Sequence, residues 1–509
     1  MIALLLTLAA APNSAVTVVF APVVTAPAAG WVADAIADML PRDLALLGVP
    51  AVELADRLRV QDALGIPPSA TSRAACVRVA EAIGAGRAVV GTAEIAETTL
   101  TLSLRLLDVE RGTLSAPLRA SGPVEALHPL LLSLAWDVAL AGPTRPSLGR
   151  DEFVSRRGPP FEALKAYGQA LGKGDLAARQ RLLRQAAAIA PDYDESWLAL
   201  GRLQLLAREQ GPALDSFSRV AQGSALSRSA RFLSGVALIE LGRYREASAL
   251  LANLARGEPT AAVLNNHALA LLRGGAGAGA KASDVLRKAA ELDPGTTEIP
   301  FNLGWALLLE GDPAAAAFWL RGPGRPQARD PQARLVLSWA LRQAGEPEAA
   351  DEELRAVGVL APQLAALAAP DLSRRFERVL PSEQIFPLDQ ESRSDVELAA
   401  TRRARAARLE EAGDAEGARR ELLQAVYLDP YSFQGHVSLA RSYRAGGEME
   451  RAVGELRLAL WCRDDAAVRL ELAQGLDQLG RLAEAQQEAR RVLETDPGSV
   501  AARALVDRP

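Results

Sequence analysis

In residues 99–109, T-L-T-L-S-L-R-L-L-D-V, apolar and polar positions alternate, which lays one face of a β-strand on a core. The preceding run R-A-V-V-G-T-A-E-I-A-E, 87–97, is its predicted partner, and a third strand is predicted over Thr113–Ala120. Upstream, V-T-V-V-F-A-P-V from Val16 predicts a short strand. The stretch A-A-G-W-V-A-D-A-I-A-D-M-L-P-R-D-L-A-L-L-G has helical spacing. Pro41 is expected to kink or break it, because proline has no N–H to donate. A strand near Val49–Leu54, a helix over Ser72–Ile83 and an apolar helix over Val124–Leu140 complete this part. Pro143, Pro146 and Gly149 then mark a linker.

Beyond residue 160 the alternation gives way to helical spacing that is interrupted at regular intervals. Gly311 and Gly345 are 34 residues apart, as are Gly413 and Gly447, and Gly480 follows 33 later. Pro294, Pro362, Pro430 and Pro497 recur at 68, 68 and 67. Trp197, Leu200, Gly201, Ala213 and Phe217 hold spacings that return, from the second of them on, as Leu303, Gly304, Leu307, Ala316 and Leu320, with Leu307 at a position where the earlier unit has Gln204. These residues resemble the tetratricopeptide repeat family, whose units are pairs of antiparallel helices stacked into a right-handed superhelix. Gln204 departs from the pattern, since the family usually has a large apolar or aromatic residue there. Nine units are expected, beginning near Phe161, Asp194, Arg228, Ala261, Thr297, Pro331, Ala399, Phe433 and Ala466; the first and last match less well. Gly201, Gly235 and Gly304, with alanines such as Ala213 and Ala247, are expected where the two helices of a pair approach most closely, so that a larger side chain would overpack the contact.

The first part also carries a resemblance. "WVADAIADML" as an opening helix, the V-V-F-A-P strand end and the hairpin residues Ala82, Gly84, Val90, Gly91, Leu104, Leu107, Asp108 and Gly112 are similar to the TolB-amino-terminal-like family, related to the flagellar outer-membrane protein FlgO. The resemblance covers roughly 16–141 and implies a non-catalytic, envelope-associated α/β module. The expected fold is therefore a small N-terminal α/β domain followed by an all-α solenoid. Its expected parts are a signal peptide over 1–15, the α/β domain over 16–141 and a linker over 142–159. Six repeats over 160–362, a linker or degenerate repeat over 363–396 and three repeats over 397–505 follow. The stretch 363–396, with Pro370, Pro381 and Pro387, is favoured as an insert.

Composition narrows the function. The formal charge of −5 gives no electrostatic case for nucleic acid, which needs clustered positive charge. The two cysteines, Cys76 and Cys462, are too isolated for a zinc site or a disulfide framework. The apolar start Ile2–Ala11 resembles a secretory signal lacking its basic region, the alternative being a first strand or a frayed terminus. No later run approaches the ~20 apolar residues of a membrane span, so no integral membrane span is expected. The run R-G-G-A-G-A-G-A-K-A-S, 273–283, imitates a phosphate-binding loop. Its Lys281 comes one place late, Ala282 separates it from Ser283, and helical residues rather than a strand precede it. It is expected to be the turn inside one repeat, and no nucleotide or other cofactor is expected.

Candidate chemistry is sparse. His128, His267 and His436 fall in separate elements without metal-ligand or triad spacing, and acidic pairs such as Glu410–Glu411 belong to solvated surfaces. No catalytic or metal-binding residue is expected. In the tetratricopeptide family the first helix of each unit lines a concave groove, and the resemblance places Leu198, Phe232, Asn266, Phe301, Asn302, Trp305, Leu335 and Trp339 there. An apolar, aromatic groove suits a peptide or helix of a partner protein. The same aromatic residues could instead pack against the next repeat. The corresponding positions of the last three units, including Arg403, Arg441, Arg444 and Asp477, are polar and mixed in charge. The expected function is a protein-binding scaffold of the periplasm or envelope. The alternative is a cytoplasmic regulatory protein, related to the repeat tails that follow cyclase or kinase domains.

Overall fold

The computed structural model describes residues 13–24, 29–68, 72–142, 145–172, 174–274, 281–293, 296–321, 330–367, 375–383 and 390–508. Residues 1–12 of the expected signal sequence, the centre of the glycine run, and Pro143, Pro294, Pro370 and Pro387 lie outside the described residues, while the last three residues of that expected signal, 13–15, begin a strand. Two compact units are formed. One extends to Gly257 and includes 381–383; the other runs from Glu258 to Leu380 and resumes at 390.

The first unit is built on a sheet of β1 (Asn13–Val19), β2 (Val23–Val24), β3 (Ala85–Ala96), β4 (Thr99–Asp108), β5 (Thr113–Leu114) and β6 (Leu118–Pro123). β1 and β2 run parallel to β3, and β4 pairs antiparallel with β3, β5 and β6. The parallel crossover carries the helices Gly30–Leu46, Leu54–Ala63 and Arg73–Ile83. Strand alternation gives the sheet two apolar faces. Val19 and Val89 join a core with Leu40 and Leu134, whereas Val18 and Ala88 join one with Cys76 and Ile83.

Three expectations change here. Of the kink or break expected at Pro41, the break does not occur: the helix Gly30–Leu46 continues through it. Val32, Ile36, Leu40 and Leu44 are fully buried along it, and that burial outweighs one missing backbone bond. In place of a strand at Val49–Leu54 there is a single bridge, Thr17 to Ala51, followed by the helix Leu54–Ala63. The third predicted strand is two, β5 and β6, interrupted at residues 115–117.

The helix Phe161–Leu171, which opens the repeats, lies on Gly30–Leu46 within this unit. A Cβ added to Gly168 would stand 2.8 Å from the Trp31 carbonyl oxygen. The Tyr167 hydroxyl donates to the Asp38 carboxylate, which also accepts from Arg42. The pairs of this unit are Phe161–Leu171 with Leu176–Ile189, Asp194–Leu206 with Gln210–Ser218, and Ser227–Glu240 with Tyr244–Gly257.

The second unit contains the pairs Ala261–Gly274 with Ala282–Leu292, Glu298–Leu309 with Pro313–Arg321, and Pro331–Gln343 with Pro347–Leu360. After the insert come Gln390–Glu411 with Ala415–Leu428, Phe433–Ala445 with Met449–Cys462, and Ala466–Gln478 with Leu482–Thr495, then a final helix Val500–Val506. The close approach inside a pair falls where the repeat spacing places it. A Cβ on Gly201, Gly235 or Gly304 would meet Phe217, Leu251 or Leu320 at 2.3, 2.7 and 2.5 Å. The turn glycines Gly311, Gly345, Gly413, Gly447 and Gly480 have φ between 75° and 88°, the left-handed conformation that ends a helix at little cost only for glycine. Trp319 stacks on Tyr431 with centroids 4.2 Å apart and 11° between planes. Arg287 Nε donates to the Trp461 carbonyl at 2.9 Å, so the chain before and after the insert shares one core.

Candidate functional site

The helices Ala261–Gly274, Glu298–Leu309 and Pro331–Gln343 bring together the middle of the predicted groove. Asn265, Asn266 and Asn302 have no exposed surface, although asparagine is a poor helix former and costly to bury unpaired. Their amides are satisfied by the main chain of residues 378 and 380, which belong to the stretch 363–396 expected as an insert. Asn302 Oδ1 accepts from the Arg378 N–H at 2.8 Å, and its Nδ2 donates to the Arg378 carbonyl at 2.8 Å. Asn266 Oδ1 accepts from the Leu380 N–H at 2.9 Å, and its Nδ2 donates to the Leu380 carbonyl at 2.8 Å. A peptide N–H only donates and a carbonyl only accepts, so both amide orientations are fixed. Asn265 Nδ2 adds a bond of 3.1 Å to the Arg378 carbonyl, and its Oδ1 accepts from Asn302 at 2.8 Å.

Residues i and i+2 of an extended chain lie about 7 Å apart on one side of it, and here two successive repeats grip one such residue each. The side chains of the segment fill the rest of the groove. Phe376 is buried edge-on against Trp305 and Trp339, with centroids at 5.3 and 5.8 Å. The buried Glu377 carboxylate accepts a forked pair from Arg273 at 2.7 and 2.7 Å and a bond from Trp305 Nε1 at 3.1 Å. Forked geometry and the added Trp305 bond help such a pair to offset its desolvation. The Arg378 guanidinium lies 3.8 Å from the centre of the Phe301 ring and pairs with Asp330. Leu380 is buried.

Of the residues predicted to line the groove, Asn266, Phe301, Asn302, Trp305 and Trp339 therefore surround residues 376–380. Leu335 is fully buried on Pro331–Gln343. Leu198 and Phe232 are buried within the first unit. Sequence reasoning missed Arg273, Asn265 and the occupant itself. The available signal was F-E-R-V-L, an aromatic–acidic–aliphatic string inside a proline-rich stretch without repeat spacing. The polar positions of the last repeats bond among themselves: Arg441 and Arg444 meet Glu471 at 2.6 and 3.3 Å, and Asp477 pairs with Arg508.

His128 and His267 are held below the ordinary histidine value, chiefly by burial. His436 is bonded to Glu455 at 2.7 Å and to the Pro430 carbonyl at 2.8 Å. Burial pushes the Cys76 thiol up to about 11 and the Cys462 thiol higher. Among the described residues no three His, Cys, Asp or Glu side chains gather as metal ligands, and no helix is long and apolar enough to cross a membrane.

No protein-family profile matches the chain, and no curated protein does. Among solved structures it is similar to PilF of Pseudomonas aeruginosa, at 18% identity and a TM-score of 0.33 over 40% of this chain and 92% of the other. It is also similar to YrrB, described as a tetratricopeptide protein with an unusual peptide-binding site, at 17%, 0.30, 36% and 95%. A third likeness is to MamA MSR-1, at 18%, 0.29, 33% and 97%. At these values the superpositions establish neither ancestry nor a shared ligand. The recurring helix pairs and their glycine contacts are what define this chain as a small α/β layer followed by a tetratricopeptide-type helical repeat region.

Proposed function

We propose that this protein is a non-enzymatic interaction scaffold of the cell envelope whose repeat groove holds an extended segment of a partner protein. One observation carries the reading: two buried asparagine amides each bond both main-chain groups of one residue, two residues apart. That arrangement grips an extended peptide regardless of its sequence, while the aromatic residues and Arg273 select its side chains. The envelope assignment is supported by the apolar start Ile2–Ala11 and by the TolB-amino-terminal-like hairpin residues.

In-cell crosslinking of the full chain, wild type and Asn266→Ala/Asn302→Ala, tests the groove. Partner crosslinks on residues 261–274 and 298–309 that fade in the variant are expected. Unchanged crosslinks mapping elsewhere would discard it. Sequencing the mature N-terminus tests the location: a start near Val16 is expected, and an intact Met1 would favour the cytoplasmic regulator.

A further inference from the structure

Resting on that reading of the groove, we infer that residues 376–380 are a tethered occupant which a partner must displace, and that the displacing segment is an extended peptide of the pattern aromatic–acidic–x–x–aliphatic. Each part of the pattern has a receptor. The aromatic position packs edge-on against both Trp305 and Trp339, the acidic one meets the fork of Arg273, and the aliphatic one is buried beside the Asn266 clamp. Of the two middle positions, Arg378 is held through its backbone by Asn302 and has its side chain over Phe301 and paired with Asp330, and Val379 is half-buried.

The segment behaves as a ligand rather than as framework. It belongs to neither helix nor strand, and its backbone is received by side chains of the repeats. The covalent connection raises its local concentration to the order of millimolar, so a free peptide of equal intrinsic affinity binds far more weakly than the groove itself allows. A partner with the same pattern and additional contacts overcomes this, and exchange of the segment for the partner becomes the regulated step.

The test uses the full chain and a fluorescent synthetic peptide of residues 374–381 as probe, read by anisotropy. Phe376→Ala/Glu377→Ala weakens the tethered copy and leaves the groove intact. At least tenfold tighter peptide binding than wild type is expected. That binding should disappear when Asn266→Ala/Asn302→Ala is added, and when the glutamate of the probe is replaced by lysine. Equal affinity for wild type and variant would overturn self-occlusion while leaving a groove that binds peptides. No binding to either chain would overturn both readings.

Hydrogen exchange on the wild type gives a second measurement that does not depend on the variant folding. The amides of Arg378 and Leu380 should exchange at least a hundredfold faster than those of Trp305 and Leu307, through local release of the segment. Exchange at the same rate would make the segment part of the core and overturn the inference.

Discussion

Asp43 sits in the buried face of the helix Gly30–Leu46 with one carboxylate oxygen unpartnered. Burial raises its pKa from 3.8 to about 7, against the opposing pull of Arg42 and Arg156. Because the folded state binds this proton more tightly than the unfolded chain, stability is lost as pH rises from about 4 to about 7 and stays lost above. Asp43→Asn should therefore stabilise the protein by on the order of 2–4 kcal/mol at pH 8, with the gain shrinking toward pH 4. Urea midpoints across that range check it, and a gain independent of pH would contradict it. At the same scale, Asn266 and Asn302 were legible from their repeat position, but their partners were not. A buried amide in a helix announces that something is bonded to it without saying what.

Helix pairs are where the sequence speaks most plainly. Gly304 faces Leu320, and an added Cβ would stand 2.5 Å from the leucine Cγ inside a buried contact. Gly304→Ala gains helix propensity but overpacks this contact, for an expected net loss of about 1–2 kcal/mol. In a Leu320→Ala background the penalty should vanish, since the space is then open. A double-mutant cycle by thermal or urea unfolding measures the coupling. A recurring ion pair links the two helices of a pair at a spacing of 19 residues, in Arg334–Glu353, Arg402–Glu421 and Arg469–Glu488. His436–Glu455 takes the same place in the repeat that begins near Phe433. Less visible was the helix Leu54–Ala63, whose buried residues Asp56, Arg57, Val60 and Gln61 are mostly polar and leave no apolar spacing to read.

For the whole molecule, the division into units falls between the third and fourth helix pairs, and the first three pairs go with the α/β layer. The opening repeat helix is fastened to the α/β layer through Gly168, Tyr167 and the Trp31–Phe161 contact at 6.0 Å, and so belongs to the first unit. In the second unit the chain on either side of the insert is joined by the Trp319–Tyr431 stack and by the Tyr431 hydroxyl, which donates to the Trp319 carbonyl at 2.7 Å. Tyr431→Ala should cost about 2 kcal/mol and lower amide protection in both Pro313–Arg321 and Phe433–Ala445. Lowered protection confined to one of these helices would mean that the two stretches unfold independently.

The sequence by itself determined the alternation that makes the sheet, the period that makes the helix pairs and the small residues that let each pair close. These depend on neighbours a few residues to one repeat apart, and a local pattern encodes them. Only the tertiary structure decided that Pro41 is carried through a helix, that the first repeat is welded to the α/β layer, and that F-E-R-V-L fills the groove. Each of these turns on contacts between residues distant in sequence, where the burial and charge pairing on offer outweigh what the local segment prefers.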